Sequence, residues 1–267
     1  MNSQAREFFR ADGPKSEVHF HEVRFVSEEP EAQWEELSPT GLPRGWFELS
    51  RIQPLDRVEF TREFWLGRLP YQPAATDRIA KFFDLLDDVA VILCRQTIEE
   101  PWQPELIYSL ADNSSFFRGL PPADEEEIDW ARASLRVELP RDYKAFHRIH
   151  NGFGKLTEMG LIPLEELADV REKLLDQLLR ANHPLTTSEQ WVNPYTLYPF
   201  YEVFGMGSYQ CFCSEWYPGS EMGNLHFSGI DGTLSDVSER RSWAENLAYP
   251  TFLDWLAAFL EGVNIAP

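Results

Sequence analysis

This chain is predicted to adopt an α+β fold, and three observations carry that expectation. Ile79, Phe82, Phe83 and Leu86 recur at spacings of three, four and seven, and Asp87 and Asp88 then lead into the apolar run of residues 89–94 (VAVILC); the order reads as helix, tight turn and buried strand. Residues 139–154 (LPRDYKAFHRIHNGFG) place a helix start, an aromatic face and a helix stop in sequence. The 267 residues are 43% hydrophobic, with nine Trp and nineteen Phe, which is enough apolar surface for a substantial core.

From the amino end, residues 18–26 (VHFHEVRFV) alternate with a change of phase near Glu22, the pattern of a bulged or edge strand. His19 and His21 would share one side of it; without a third ligand the pair reads as strand surface rather than a metal site. A segment punctuated by Pro30, Pro39, Pro43 and Pro54 follows, carrying Trp46 and Phe47 and then the aromatic stretch 60–65, expected on a helix over 56–69. Aromatics that dense pack against their own domain or against a partner. Residues 106–110 (LIYSL) are a second strand candidate. The Pro121–Pro122 pair is the best boundary, dividing an α+β extension of unassigned type (1–120) from a second domain (121–267). No Gly/Ser-rich linker joins them, so the halves are expected to pack together rather than swing freely, an arrangement in which the first can extend the second's sheet.

In the second domain the acidic run 124–129 (DEEEID) reads as a capped helix start. Asp124 is the cap, Glu127 its return partner, and the other acids are favoured in the first turn. Leu139 and Pro140 then sit at a helix entry, with Asp142 near the positive end of the dipole. Tyr143, Phe146 and His150 would share one helix face, and Asn151 and Gly152 would supply the left-handed stop. Leu167, Val170, Leu174 and Leu178 form the apolar stripe of a further helix that begins after Pro163.

On these residues the chain resembles the SUKH superfamily. The helix with Ile128, Trp130, Ala131 and Leu135, the LPRDYKAF helix, the HNGFG stop and the IPLEEL segment at 162–167 follow in that family's order. LYPF at 197–200, GSYQCF at 207–212 and TFLDWLAAFL at 251–260 look like its later strands and final helix. The resemblance covers residues 121–265. It implies a mixed, largely antiparallel sheet flanked by helices and a non-catalytic, protein-binding role. The superfamily includes a yeast regulator of cell-wall synthesis and many bacterial immunity proteins that neutralise toxins, often nucleases.

Composition excludes several other functions. The net charge is −20, with 13 basic and 21 acidic residues in 1–120 and 11 and 23 in the remainder, so neither half has the Lys/Arg cluster needed to displace counterions from nucleic acid or to bind an anionic membrane. A surface this acidic can steer a basic protein toward it, although ordinary solubility also accounts for the charge. No apolar stretch approaches membrane-spanning length and no secretory core is seen at the amino end, so a cytoplasmic location is expected. Cys94, Cys211 and Cys213 make no disulfide framework. Cys211 and Cys213 share one side of a strand and could begin a metal site with His226, but small buried hydrophobes are the commoner case.

Catalysis is not expected. His147, His150 and His226 lack an elbow nucleophile, Ser220 and Ser228 lie outside a GxSxG context, and there is no HExxH helix, phosphate loop or dinucleotide fingerprint. No cofactor or metal is expected. The candidate interface residues are instead Trp191, Tyr195, Trp216 and Tyr217 with Glu215 and Glu221, because aromatics beside acids in a loop-like segment are the residue types that anchor protein contacts. Two functions follow: an immunity-type inhibitor that occludes a basic toxin domain, or a scaffold or regulator with no toxin partner. The long amino-terminal extension favours the second. The sequence carries no signal of oligomeric state.

Overall fold

The computed structural model describes residues 1–10, 20–156, 160–181, 185–187, 190–203, 205–235 and 247–262. Val18, His19, Phe204 and Asp236 of the sequence expectations lie outside them, as does the carboxyl end beyond 262. The chain forms two compact units that interleave along the sequence. The first comprises 1–68, 80–122 and 149–159; the second comprises 69–79, 123–148 and 160–267. The fold is α+β, with one five-stranded antiparallel sheet in each unit.

The first unit is built on a sheet of order β1-β2-β3-β4-β5: β1 (Glu22–Phe25), β2 (Leu86–Arg95), β3 (Gln103–Leu110), β4 (Phe116–Gly119) and β5 (Phe153–Lys155). Residues 89–94 of β2 read as an unbroken apolar run because both faces of the strand are covered. On one face Ala90, Ile92 and Cys94 pack with Ile107 and Phe116 against Ala5 and Phe9 at the amino-terminal helix α1 (Ser3–Phe8). Within this apolar layer lies a buried ion pair. Arg118 on β4 grips Glu105 on β3 with two bonds of 2.6 and 2.8 Å, and its guanidinium stacks over the rings of Phe8 and Phe9.

The other face carries α3 (Arg44–Ser50) and α4 (Pro54–Arg68), α2 (Trp34–Leu37) packs Trp34 on Phe47 of α3, and α5 (Pro73–Phe83) brings Phe82 and Phe83 to the sheet. Arg57 ties α4 to β2 by two bonds of 2.7 and 2.9 Å to the buried Asp88 carboxylate. A polar relay runs beneath. Trp65 donates its Nε1–H to the Tyr108 hydroxyl at 3.1 Å, and the hydroxyl lies 2.6 Å from His150 Nε2. His150 Nδ1 lies 2.7 Å from the Leu120 carbonyl, an acceptor, so the proton belongs on Nδ1 and Nε2 accepts from Tyr108. Burial holds this imidazole neutral, lowering its pKa from 6.5 to about 4.

These positions revise several expectations. Leu86, Asp87 and Asp88 belong to β2 rather than to a helix and turn, with a bulge between Leu86 and Asp88. Strand pairing with β3 begins at once and overrides the helical spacing. The helix in 139–154 ends at His147, so His150 is not on its face, and Asn151 does not adopt the left-handed conformation that Gly152 reaches at φ 125°. The HNGFG segment continues into β5, pairing with β4 as Phe153 faces Gly119. The His150 ring lies so close over Gly119 that a Cβ there would overlap it.

In the second unit, α6 (Glu125–Leu135) opens with the expected capping box: Asp124 accepts from the Glu127 amide at 2.9 Å, and the Glu127 side chain accepts from the Asp124 amide at 2.7 Å. α7 (Arg141–His147) begins one residue later than expected, with Pro140 as the residue before its first turn. α8 (Leu167–Ala181) buries Leu167, Val170, Leu174 and Leu178. A ribbon of β6 (Thr186–Thr187) and β7 (Gln190–Trp191) precedes β8 (Leu197–Val203), β9 (Ser208–Cys213), β10 (Asn224–Ser228), β11 (Thr233–Leu234) and β12 (Ala248–Tyr249). These last five make a sheet of order β11-β10-β9-β8, with β12 pairing β10.

The closing helix α9 (Phe252–Leu260) is apolar on nearly every side and buried accordingly. Its Phe252 and Trp255 pack with Tyr143 and Phe146 of α7 and with the stacked Phe200 and Phe212 rings of β8 and β9. Asp142 joins the two helices. It accepts from its neighbour Tyr143 at 2.9 Å and from the Leu253 amide in the first turn of α9 at 3.0 Å, so this carboxylate faces two helix starts at once. Burial raises its pKa from 3.8 to about 6 despite those bonds. Leu139, Tyr143 and Phe146 are core residues of the second unit.

Candidate protein-interaction site

Two of the sequence candidates, Tyr195 and Glu215, lie at the end of the β8–β9 pair. Leu197 pairs with Cys213, and the ladder continues as the Ser214 amide donates to the Thr196 carbonyl at 2.9 Å. Tyr195 and Glu215 flank that bond. Asn193 caps the short turn at Pro194–Thr196, accepting from the Tyr195 amide at 3.1 Å. Arg171 of α8 donates to the Tyr195 carbonyl at 2.7 Å and stacks on the Tyr198 ring. Loops held this way at their backbone present side chains without a large entropy loss on binding.

The loop from Ser214 to Gly223 has polar, glycine-rich composition yet is fastened along its length. The Trp216 amide donates to the Cys213 carbonyl at 3.0 Å, and Gly223 donates to the Trp216 carbonyl at 2.9 Å. The Trp216 ring lies over Gly223 so closely that no Cβ fits there, which makes Trp216 half-buried packing. Tyr217 beside it is 55% exposed, Tyr195 is 54% exposed, and Glu215 is exposed. Glu221 is turned toward α7, where its carboxylate accepts from the Arg141 amide at 3.3 Å. Trp191, 63% exposed, stands on the separate β6–β7 ribbon, which is tied to the Ser235 carbonyl through the Thr187 hydroxyl at 2.7 Å.

One exposed aromatic on an acidic surface went unread as an interface candidate in the sequence. Trp130 on α6 is 48% exposed between Glu126, Glu127 and Asp129. A helical projection contains the signal, because Ile128, Ala131 and Leu135 define the buried face and Trp130 falls roughly opposite. Nearby charges are partly neutralised: Arg148 holds the Glu125 carboxyl below its usual range, and Lys144 does the same for Glu138.

Cys211 and Cys213 are buried free thiols whose pKa burial pushes up, and the same cause lowers His226 to about 4. Among the described residues, no group of three or more His, Cys, Asp and Glu side chains comes together as a metal ligand set. Nor is any described helix long and apolar enough to cross a membrane.

Residues 122–258 match the SMI1/KNR4 family (SUKH-1). The chain belongs to that family. The SUKH match includes α6, α7, β5, α8 and the whole second sheet, and therefore takes in residues 149–159 of the first unit. Comparison with curated proteins gives no match. The SUKH assignment supports a protein-binding domain and leaves residues 1–121 unmatched.

Proposed function

We propose that this SUKH protein is a non-catalytic, cytoplasmic inhibitor of the immunity type, which binds and occludes a basic toxin domain such as a nuclease. The observation that carries the reading is the pairing of exposed Tyr195 and Tyr217 with Glu215 on backbone-fastened loops, in a chain of net charge −20. Such aromatics bury large area at low entropic cost, while the acidic field accelerates encounter with a cationic partner. Trp191, Trp216 and Glu221 extend the proposed surface, Trp216 chiefly by supporting Tyr217. We take residues 1–120 as an extension and 121–267 as the SUKH-like domain.

The test is direct binding to basic toxin domains encoded beside the gene, measured by calorimetry across a salt series. Affinity should fall steeply with salt, and the double variant Tyr195→Ala/Tyr217→Ala should weaken binding by about 2–4 kcal/mol while leaving the thermal midpoint unchanged. Binding by the double variant equal to wild type would displace the interface. Failure of every neighbouring toxin to bind would favour the second reading, a regulator or scaffold with a different intracellular partner. One observation supports that alternative: residues 1–121, outside the family match, supply four of the five strands of the first unit's sheet, more apparatus than occlusion requires.

A further inference from the structure

The first unit contains a recess of about 150 Å³ between α3, α4 and the sheet, lined by Trp46, Leu49, Phe60, Phe64, Trp65 and Tyr108, with Gly45 and His150 among the remaining lining residues. Apart from Trp46, the polar side chains at its wall have hydrogen-bond partners within the protein. Thr61 donates to the Arg57 carbonyl at 2.7 Å, and the Trp65, Tyr108 and His150 relay ends on the Leu120 carbonyl. A guest inside would find few donors or acceptors to exchange for water on this largely aromatic and aliphatic wall, so a charged or strongly polar group is disfavoured. An apolar cavity of roughly this size holds a benzene-sized guest. The surrounding rings offer edges and faces: Trp46 and Trp65 each lie 5.8 Å from His150, and Trp65 meets Tyr108 at 67°. At the mouth, Phe60 and Phe64 remain 58% and 38% exposed although they line the recess.

We infer that this recess is a binding site for a small, neutral molecule carrying a single apolar ring, inserted between Trp46, Trp65 and the Phe60–Phe64 edge. The inference is independent of the toxin-binding reading, which concerns the other unit.

Toluene is the probe, followed by the indole N–H resonances of Trp46 and Trp65 in the full chain, with benzoate as the charged analogue of similar size. Toluene should shift both resonances and saturate, with a Kd on the order of a millimolar or tighter given its few heavy atoms. Benzoate should not saturate. Gly45 is exposed on α3 and a Cβ added there meets nothing within 4 Å, so Gly45→Leu folds while placing a side chain at the edge of the recess. That variant should weaken toluene binding at least tenfold, and Phe60→Ala, which removes an exposed wall, should weaken it severalfold. Toluene shifts that rise linearly without saturating, benzoate binding as well as toluene, or unchanged toluene affinity in both variants would each overturn the assignment. So would a recess that refuses toluene but admits the aromatic side chain of a bound protein.

Discussion

Replacing Asp142 tests the tie between α7 and α9. The buried carboxylate accepts two backbone amides, those of Tyr143 and Leu253, and both lie in first helical turns without an intrahelical acceptor. Asp142→Ala strands both donors, at roughly 1–3 kcal/mol each, and relief from desolvating the charge returns part of the loss. The net expectation at pH 7 is about 2–3 kcal/mol of destabilisation, read as a lower urea midpoint and faster hydrogen exchange at the Leu253 amide. The pH dependence has a definite sign. Because the folded-state pKa is raised from 3.8 to about 6, the native state binds the proton more tightly, and this contribution is fully present below pH 3.8 and lost as pH rises through about 6. A shift of about two units corresponds to about 3 kcal/mol. The advantage of wild type over Asp142→Asn, which cannot titrate, should therefore grow by that order from pH 7 to pH 4. An alanine penalty below about 1 kcal/mol, or a wild type to Asn difference that shrinks on acidification, would refute the account.

Three further outcomes follow from the same kind of reasoning. Gly119→Ala should destabilise by about 2–3 kcal/mol in denaturant titrations, because the His150 ring that its Cβ would strike is held at both nitrogens and cannot retreat. His150 should remain neutral with its proton on Nδ1 in nitrogen NMR down to about pH 5; its depressed pKa means that its contribution to stability is present above pH 6.5 and lost as pH falls through about 4, so a midpoint near 6.5 would contradict the buried relay. Asp124→Ala should cost about 1 kcal/mol by removing the α6 cap, whereas Glu125→Gln, in an exposed pair with Arg148, should leave thermal stability unchanged.

Local rules made some elements legible in the sequence. The α6 box needs only Asp124 and Glu127 three residues apart, and the stripe of α8 repeats over three turns, so neither depends on the rest of the molecule. The helix stop is not fixed by spacing, because Tyr143, Phe146 and His150 keep a helical repeat across the stop while His150 answers to Tyr108 and Leu120 far away in sequence. Asp142 looked like a local dipole partner, and its bond to Leu253, 111 residues on, could not be read from spacing. β4 and β5 are too short to alternate visibly and exist through pairing with each other and with β3. For the candidate site, composition marks the segment holding Glu215, Trp216, Tyr217 and Glu221 as loop-like with aromatics. It did not separate Tyr217, which projects, from Trp216, which lies down on Gly223.

The Glu105–Arg118 pair bears on which strand alignment the first unit can adopt. A buried ion pair adds little net stability over well-packed apolar side chains, since desolvation cancels much of the attraction. Its two partners sit on adjacent strands, however, and sliding β4 by one residue would turn Arg118 to the opposite side of the sheet, among Tyr108 and the rings of Phe82 and Phe83, leaving Glu105 with only the weak thiol donor of Cys94. Two ions without charged partners in separate apolar layers carry a heavy penalty, so the pair selects one pairing among those the short β4 would otherwise tolerate.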